Sequence, residues 1–132
     1  MSKTIKVKYP ATGELIQEVT RHTVEEINRA LENGQKGFEK WAKVNAHERS
    51  RLLKAWSQKI QENKEEIAKV MTMENGKPLQ ESIGEVNYAT SYIDWYAEEA
   101  VRIYGRTIPA SSETKRITVS RQPIGKVAAI TP

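Results

Sequence analysis

The residues whose types could do chemistry are few and scattered. Histidine occurs at positions 22 and 47 only. His22 precedes a helix-capping sequence and His47 falls in a first helical turn. With no third ligand at metal spacing, both read as surface or capping residues. Asp94, Glu98 and Glu99 cluster near an aromatic-rich helix end and could form an acid/base pair. Adjacent helix positions point in different directions, however, and Arg102 and Arg106 are close enough along the chain to pair with them. An ion-paired or solvated face is the better reading. Gly76-Lys77 and Gly125-Lys126 could approach a phosphate, but each glycine is isolated and neither opens a glycine-rich strand-to-helix turn. Cysteine is absent, which removes disulfides, thiolate metal sites and a cysteine nucleophile from this chain's chemistry. Read alone, the residues show no complete active site.

The charge balance narrows the partners. There are 21 basic and 17 acidic residues, a net charge of +4, and the signs alternate along the helices instead of clustering. Lys3, Lys6 and Lys8, with Lys36, Lys40 and Lys43 at i, i+4 and i+7, could line a basic surface. No base-reading or stacking motif accompanies them, so nucleic acid is not expected as a partner. The beginning of the chain lacks a hydrophobic signal core and no apolar run approaches membrane length, so a cytoplasmic location without membrane contact is expected. Hydrophobic residues make up 38% of the 132 and charged residues 29%, which suits exposed helices around a modest core. Trp41, Trp56, Trp95 and the tyrosines fit core or interface packing.

The elements that would position these residues follow from pattern. Ile5-Lys-Val-Lys-Tyr9 and Glu14-Leu-Ile-Gln-Glu-Val19, joined across Pro10-Ala-Thr-Gly13, read as a β-hairpin that needs support from elsewhere. Thr23-Val-Glu-Glu26 is a capping box, and Val24, Ile27, Leu31, Gly34, Phe38 and Trp41 form one helical stripe behind it. Gly34 and Gly37 weaken that helix and leave room for another element to pack closely. Asn45-Ala-His-Glu48 caps a second helix with the stripe Leu52, Leu53, Trp56 and Ile60. Asn63 opens either a third helix or a kinked continuation carrying Ile67, Val70 and Met71. Asn75-Gly76 suits a left-handed cap. Pro78 suits the first turn of a further helix. Its apolar band, from Leu79 through Val86 and Ala97 to Val101 with aromatic flanks, is wide enough to predict cover on more than one side.

After Gly105 and a polar turn, residues 115–121, from Lys115 to Arg121, alternate Ile117 and Val119 against Arg116, Thr118 and Ser120 as a one-sided strand. Residues 127–131, from Val127 to Thr131, are a continuous small and β-branched run bounded by Gly and Pro. That is the pattern of a strand buried on both faces of a parallel sheet, yet no second parallel strand precedes it. The run is therefore expected to be exposed, frayed or paired with another chain.

Several stretches together resemble the aldehyde dehydrogenase superfamily, nearest its succinate-semialdehyde dehydrogenase branch. They are Pro10-Ala-Thr-Gly-Glu14, Glu48-Arg-Ser-Arg-Leu-Leu53, Met73-Glu-Asn-Gly-Lys-Pro-Leu79, Glu81 and Glu85, Tyr92-Ile-Asp-Trp-Tyr-Ala-Glu-Glu-Ala100, Tyr104-Gly-Arg-Thr-Ile-Pro109 and Gln122-Pro-Ile-Gly-Lys-Val-Ala-Ala-Ile-Thr-Pro132. The match is ordered and runs along the whole chain. It departs at Tyr9, where the family commonly has Asn, and at Lys126, a position usually apolar.

The resemblance implies an α/β fold: a hairpin and helical layer of the cofactor-binding domain over 1–114, an oligomerisation-type strand over 115–123, and the first strand of a Rossmann-like sheet over 124–132. It implies that Ile130, Thr131 and Pro132 match a strand end lining the adenosine side of NAD or NADP. It further implies that strands 117–121 and 127–131 pair with a second copy or with the remainder of the enzyme. The family's reaction has a cysteine attack the aldehyde, followed by hydride transfer to NAD(P) and hydrolysis of the thioester. The chain resembles about the first quarter of such an enzyme and, without cysteine, is expected to be inactive alone. The alternative is a non-enzymatic module that pairs through its exposed strands.

Overall fold

The computed structural model describes residues 3–131, in which two small antiparallel hairpins stand before and after a set of four helices. Strands β1 (Thr4–Lys8) and β2 (Leu15–Thr20) pair with Ile5 opposite Val19, and the register shifts between Val7 and Lys8. Gly13, at φ 76°, closes their turn by donating its N–H to the Tyr9 carbonyl at 2.7 Å. Helix α1 (Val24–Trp41) begins with the expected capping box: Thr23 Oγ1 accepts from the Glu26 N–H, and Glu26 Oε2 accepts from the Thr23 N–H at 2.8 Å.

Helices α2 (Ala46–Glu62) and α3 (Lys64–Asn75) are separate, which settles the alternative left open by sequence. Asn45 caps α2 by accepting from the Glu48 N–H at 2.9 Å. Asn63 does not cap α3 with its side chain; its amide instead donates to the Lys59 carbonyl, which breaks the helix between the two. Gly76 ends α3 at φ 80°, a conformation that glycine adopts without steric cost. A side chain there would also meet Pro10, whose Cβ lies 3.2 Å from the position of an added Cβ, so the first hairpin's turn rests on this cap.

Helix α4 (Leu79–Glu99) starts after Pro78, one position earlier in the cap than expected, and runs into a single 3-10 turn, Ala100–Arg102. Beyond it β3 (Arg106–Ile108) pairs with β4 (Ile117–Val119), with Arg106 opposite Val119. The sequence pattern finds β4 but not β3, which at three residues is too short to show alternation. The run from Val127 forms no strand. Among the described residues it has no neighbouring strand, and Ile124, Val127 and Ile130 are 92%, 77% and 99% exposed.

The core lies where α2 and α3 meet α4, and it is made of small side chains. Ala68, Val86, Ala97 and Ala100 are buried, together with Ser57, Ser82 and Thr90. Two of these hydroxyls are hydrogen-bonded across the seam: Ser82 shares a 2.8 Å hydrogen bond with Thr72, and Thr90 accepts from Gln61 at 2.6 Å while donating to the Asn87 carbonyl at 2.9 Å. Two expected stripes are corrected here. On α3, Ile67 and Val70 are exposed and Ala68 faces the core, because the neighbouring helix approaches the side bearing Ala68, Met71 and Thr72. On α4 only one side is covered. Tyr88, Tyr92, Trp95 and Tyr96 are all exposed, with Tyr88 and Tyr92 edge to face at 4.9 Å and their hydroxyls 2.7 Å apart.

Total accessible surface is 11289 Å². A compact monomer of this mass exposes roughly 7,000 Å², so much of the apolar surface of these helices lacks cover. The stripe of α1 shows it: Val24, Ile27, Leu31 and Trp41 are exposed and no residue of that helix is buried. Against this background the few buried positions are tightly constrained. Replacing Ala68, which has no accessible surface, with Leu is expected to cost about 1–3 kcal/mol by overpacking, read as a lower urea midpoint at unchanged m-value.

Candidate functional site

The residues assigned by resemblance to the cofactor lie in the terminal segment. Ile130 is 99% exposed, Thr131 is exposed, and Pro132 lies outside the described residues. The segment touches the rest of the protein through Lys126, whose Nζ donates to the Leu31 carbonyl of α1 at 3.2 Å. The absence of a side chain at Gly34 leaves room for the lysine stem: an added Cβ would sit 3.4 Å from Lys126 Cδ. Gly34 therefore does admit a neighbouring element, and Lys126 is held by an aliphatic contact and one hydrogen bond. An open depression of about 440 Å³ beside it is bounded by His22, Ile27, Leu31 and Val127.

The carboxylates sort into ion pairs. Glu98 accepts from Lys54 at 2.5 Å and lies 4.0 Å from Arg102, and these cations hold its pKa below the ordinary carboxylate value, Lys54 more strongly. Glu99 accepts from Arg102 Nε at 2.9 Å. Asp94 joins neither pair. Glu98 and Glu99 are thus engaged with cations on an exposed face, the ion-paired arrangement expected from their sequence neighbours. His22 Nδ1 faces Glu26 at 3.6 Å beside the capping box, and His47 stays in the first turn of α2. Among the described residues no group of histidines and carboxylates could hold a metal ion. No helix among them is long and apolar enough to cross a membrane.

Sequence reasoning missed one feature, a cleft of about 590 Å³ where the end of α4 meets α1, α2 and the second hairpin. Arg49, Arg102, Arg106 and Arg121 line it, with Trp41 and Tyr104 among the apolar walls. Gly105 permits this arrangement, because an added Cβ there would lie 2.6 Å from the Val119 carbonyl oxygen. That bare backbone lets the end of β4 close onto the end of α4. The arginines come from three separate stretches, around 49, 102–106 and 121, so no single local pattern announces them together.

A sequence profile of the aldehyde dehydrogenase family matches residues 1–132. The chain belongs to that family. It is 49% identical over 130 residues to the glutarate-semialdehyde dehydrogenase of Pseudomonas putida, covering 98% of this chain and 27% of the relative. It is 41% identical over 130 residues to the NADP(+) succinate-semialdehyde dehydrogenase of Escherichia coli, covering 98% and 27%. The crystal structure of succinate-semialdehyde dehydrogenase from Burkholderia pseudomallei superposes with a TM-score of 0.89 at 40% identity, over 92% of this chain and 25% of that one. The hairpins and helices thus have the fold of the N-terminal part of an aldehyde dehydrogenase, and the chain spans about a quarter of the length of these relatives.

Two outcomes follow for this chain in solution. The amides of residues 127–131 are expected to exchange hydrogen at nearly unprotected rates in the monomer; strong protection there would contradict the exposed arrangement. The depressed Glu98 pKa implies stability that is present above the ordinary carboxylate range and lost as pH falls through it. Lowering pH from about 6 to about 3 is therefore expected to reduce Tm, and to reduce it less in Lys54→Met, as followed by circular dichroism.

Proposed function

We propose that this chain is the N-terminal portion of the cofactor-binding domain of an NAD(P)-dependent enzyme that oxidises succinate semialdehyde, or a closely related small semialdehyde, to the carboxylic acid. The observation carrying the proposal is the ordered correspondence, over almost the entire chain, with relatives named as semialdehyde dehydrogenases. In this reading 1–114 form the hairpin and helical layer, 115–123 the oligomerisation-type strand and 124–132 the first strand of the cofactor sheet. Partners for Ile117 to Arg121 and for Val127 to Thr131 come from a second copy or from the remainder of the enzyme. The exposed edge of β4 and the unpaired terminal segment are consistent with both.

In this reading the cofactor site is completed outside this chain: Ile130 and Thr131 stand in solvent, and among the described residues no glycine-rich turn opens a helix. With no cysteine to attack an aldehyde, the chain alone is inactive. What it contributes is position: a helical layer against which a terminal strand can be laid, and the backbone of that strand's end. The excess of exposed apolar surface also favours a second reading, an interaction module that associates through these faces. A monodisperse monomer by light scattering at high concentration would count against it.

A chimera tests the main reading. The corresponding first quarter of the Pseudomonas putida glutarate-semialdehyde dehydrogenase is replaced by this chain and assayed with glutarate and succinate semialdehydes and NAD or NADP. The folded chimera is expected to reduce cofactor with at least one pair, and the 132-residue chain with none. A folded chimera inert toward both aldehydes would overturn the assignment; turnover by the chain alone would overturn its inactivity.

A further inference from the structure

The cleft at the end of α4 concentrates charge out of proportion to the rest of the molecule. Its lining holds four arginines and one carboxylate, Glu99, an excess of three positive charges against +4 for the whole chain. Two of the arginines are engaged. Arg102 is held by Glu99 and Glu98, and Arg49 donates to the Val44 carbonyl. The guanidinium groups of Arg106 and Arg121 have no carboxylate or carbonyl partner among the described residues.

Their placement is set by the ribbon. Arg106 opens β3 opposite Val119, and Arg121 lies two residues beyond Val119, past the end of β4. Both arginines therefore stand at the end of the second hairpin that meets α4, and both line the cleft. Gly105 lets that end close over the end of α4, with Tyr104 and Trp41 beside it. Two unpaired forks beside aromatic walls are suited to planar or tetrahedral anions. Opposing the ligand are the Glu99 carboxylate and the carbonyls of the helix end, the negative pole of α4. A singly charged anion gains little against these, whereas one carrying two or more charged groups can span both forks.

We propose that this cleft is a binding site for a small polyanion, a molecule bearing two or more phosphate or carboxylate groups, clamped by Arg106 and Arg121. The site is separate from the terminal segment assigned to the cofactor and does not depend on the chemistry proposed above.

The test uses the full 132-residue chain with two probes, inorganic pyrophosphate and citrate, titrated by calorimetry and by tryptophan fluorescence, since Trp41 lines the cleft. Saturable binding at millimolar concentration or tighter is expected for at least one probe, and it should weaken as sodium chloride is raised. In R106Q/R121Q the affinity should fall about tenfold or more, since both forks of charge-assisted hydrogen bonds are lost. A control, K8Q/K36Q, removes the same charge at exposed lysines away from the cleft and should bind as the unaltered chain does. All four side chains are exposed, so unchanged far-ultraviolet circular dichroism is expected for both variants. Preference for pyrophosphate identifies a phosphate-bearing ligand, and preference for citrate a carboxylate-bearing one. Absence of saturable binding by both probes, or an equal loss in the control, would overturn the proposal.

Discussion

Close approach of α2 and α3 to α4 is the constraint on which the other arrangements depend. The buried positions are Ala, Ser, Thr and one Val, so the helix axes can come to the near end of the usual separation of about 8–10 Å. Large side chains at Ala68, Ser82, Ala97 or Ala100 would force the helices apart. The hydroxyls in this seam add direction that alanines alone would lack: Gln61 reaches Thr90 from α2, and Thr72 reaches Ser82 from α3. Ion pairs at both ends of α4, Lys77 with Glu85 and Lys54 with Glu98, complement the packing. They are exposed on the acidic side and act as registers more than as sources of stability.

Because the seam uses the small residues, the large ones are left outside. The aromatic side of α4, the stripe of α1 and the terminal segment all present apolar surface to water. In most domains the large residues form the centre and the small ones fill gaps. Here the order is inverted. The relatives are about four times as long as this chain.

Features decided by neighbouring residues were legible in the sequence. The capping box at Thr23 and Glu26, the Asn45 cap and the left-handed Gly76 each depend on a few adjacent positions, and each is present. Features decided by partners were not. Ile67 and Val70 announce an apolar face on α3, but Ala68 carries almost no hydropathic signal and wins the interior because of where α4 lies. The strand Arg106–Ile108 exists because Ile117–Val119 bonds to it, and nothing within its own three residues requires it. The terminal run was legible as a strand by composition and as unpaired by its lack of companions; the chain shows the second property. The arginine cleft draws on residues from 49 to 121, so its signal is distributed beyond the reach of any motif.

The contact between Pro10 and Gly76 bears on how the protein is made. The first hairpin emerges early from the ribosome, but the cap it rests on is synthesised only after three helices have been added. A two-stranded hairpin is marginal in water, so its docking must wait for that distant surface. Chain growth at about 5–20 residues per second puts seconds between the two. Over that interval the amino-terminal ribbon is a nascent edge seeking a companion, and its permanent place is specified by a bare backbone position far downstream.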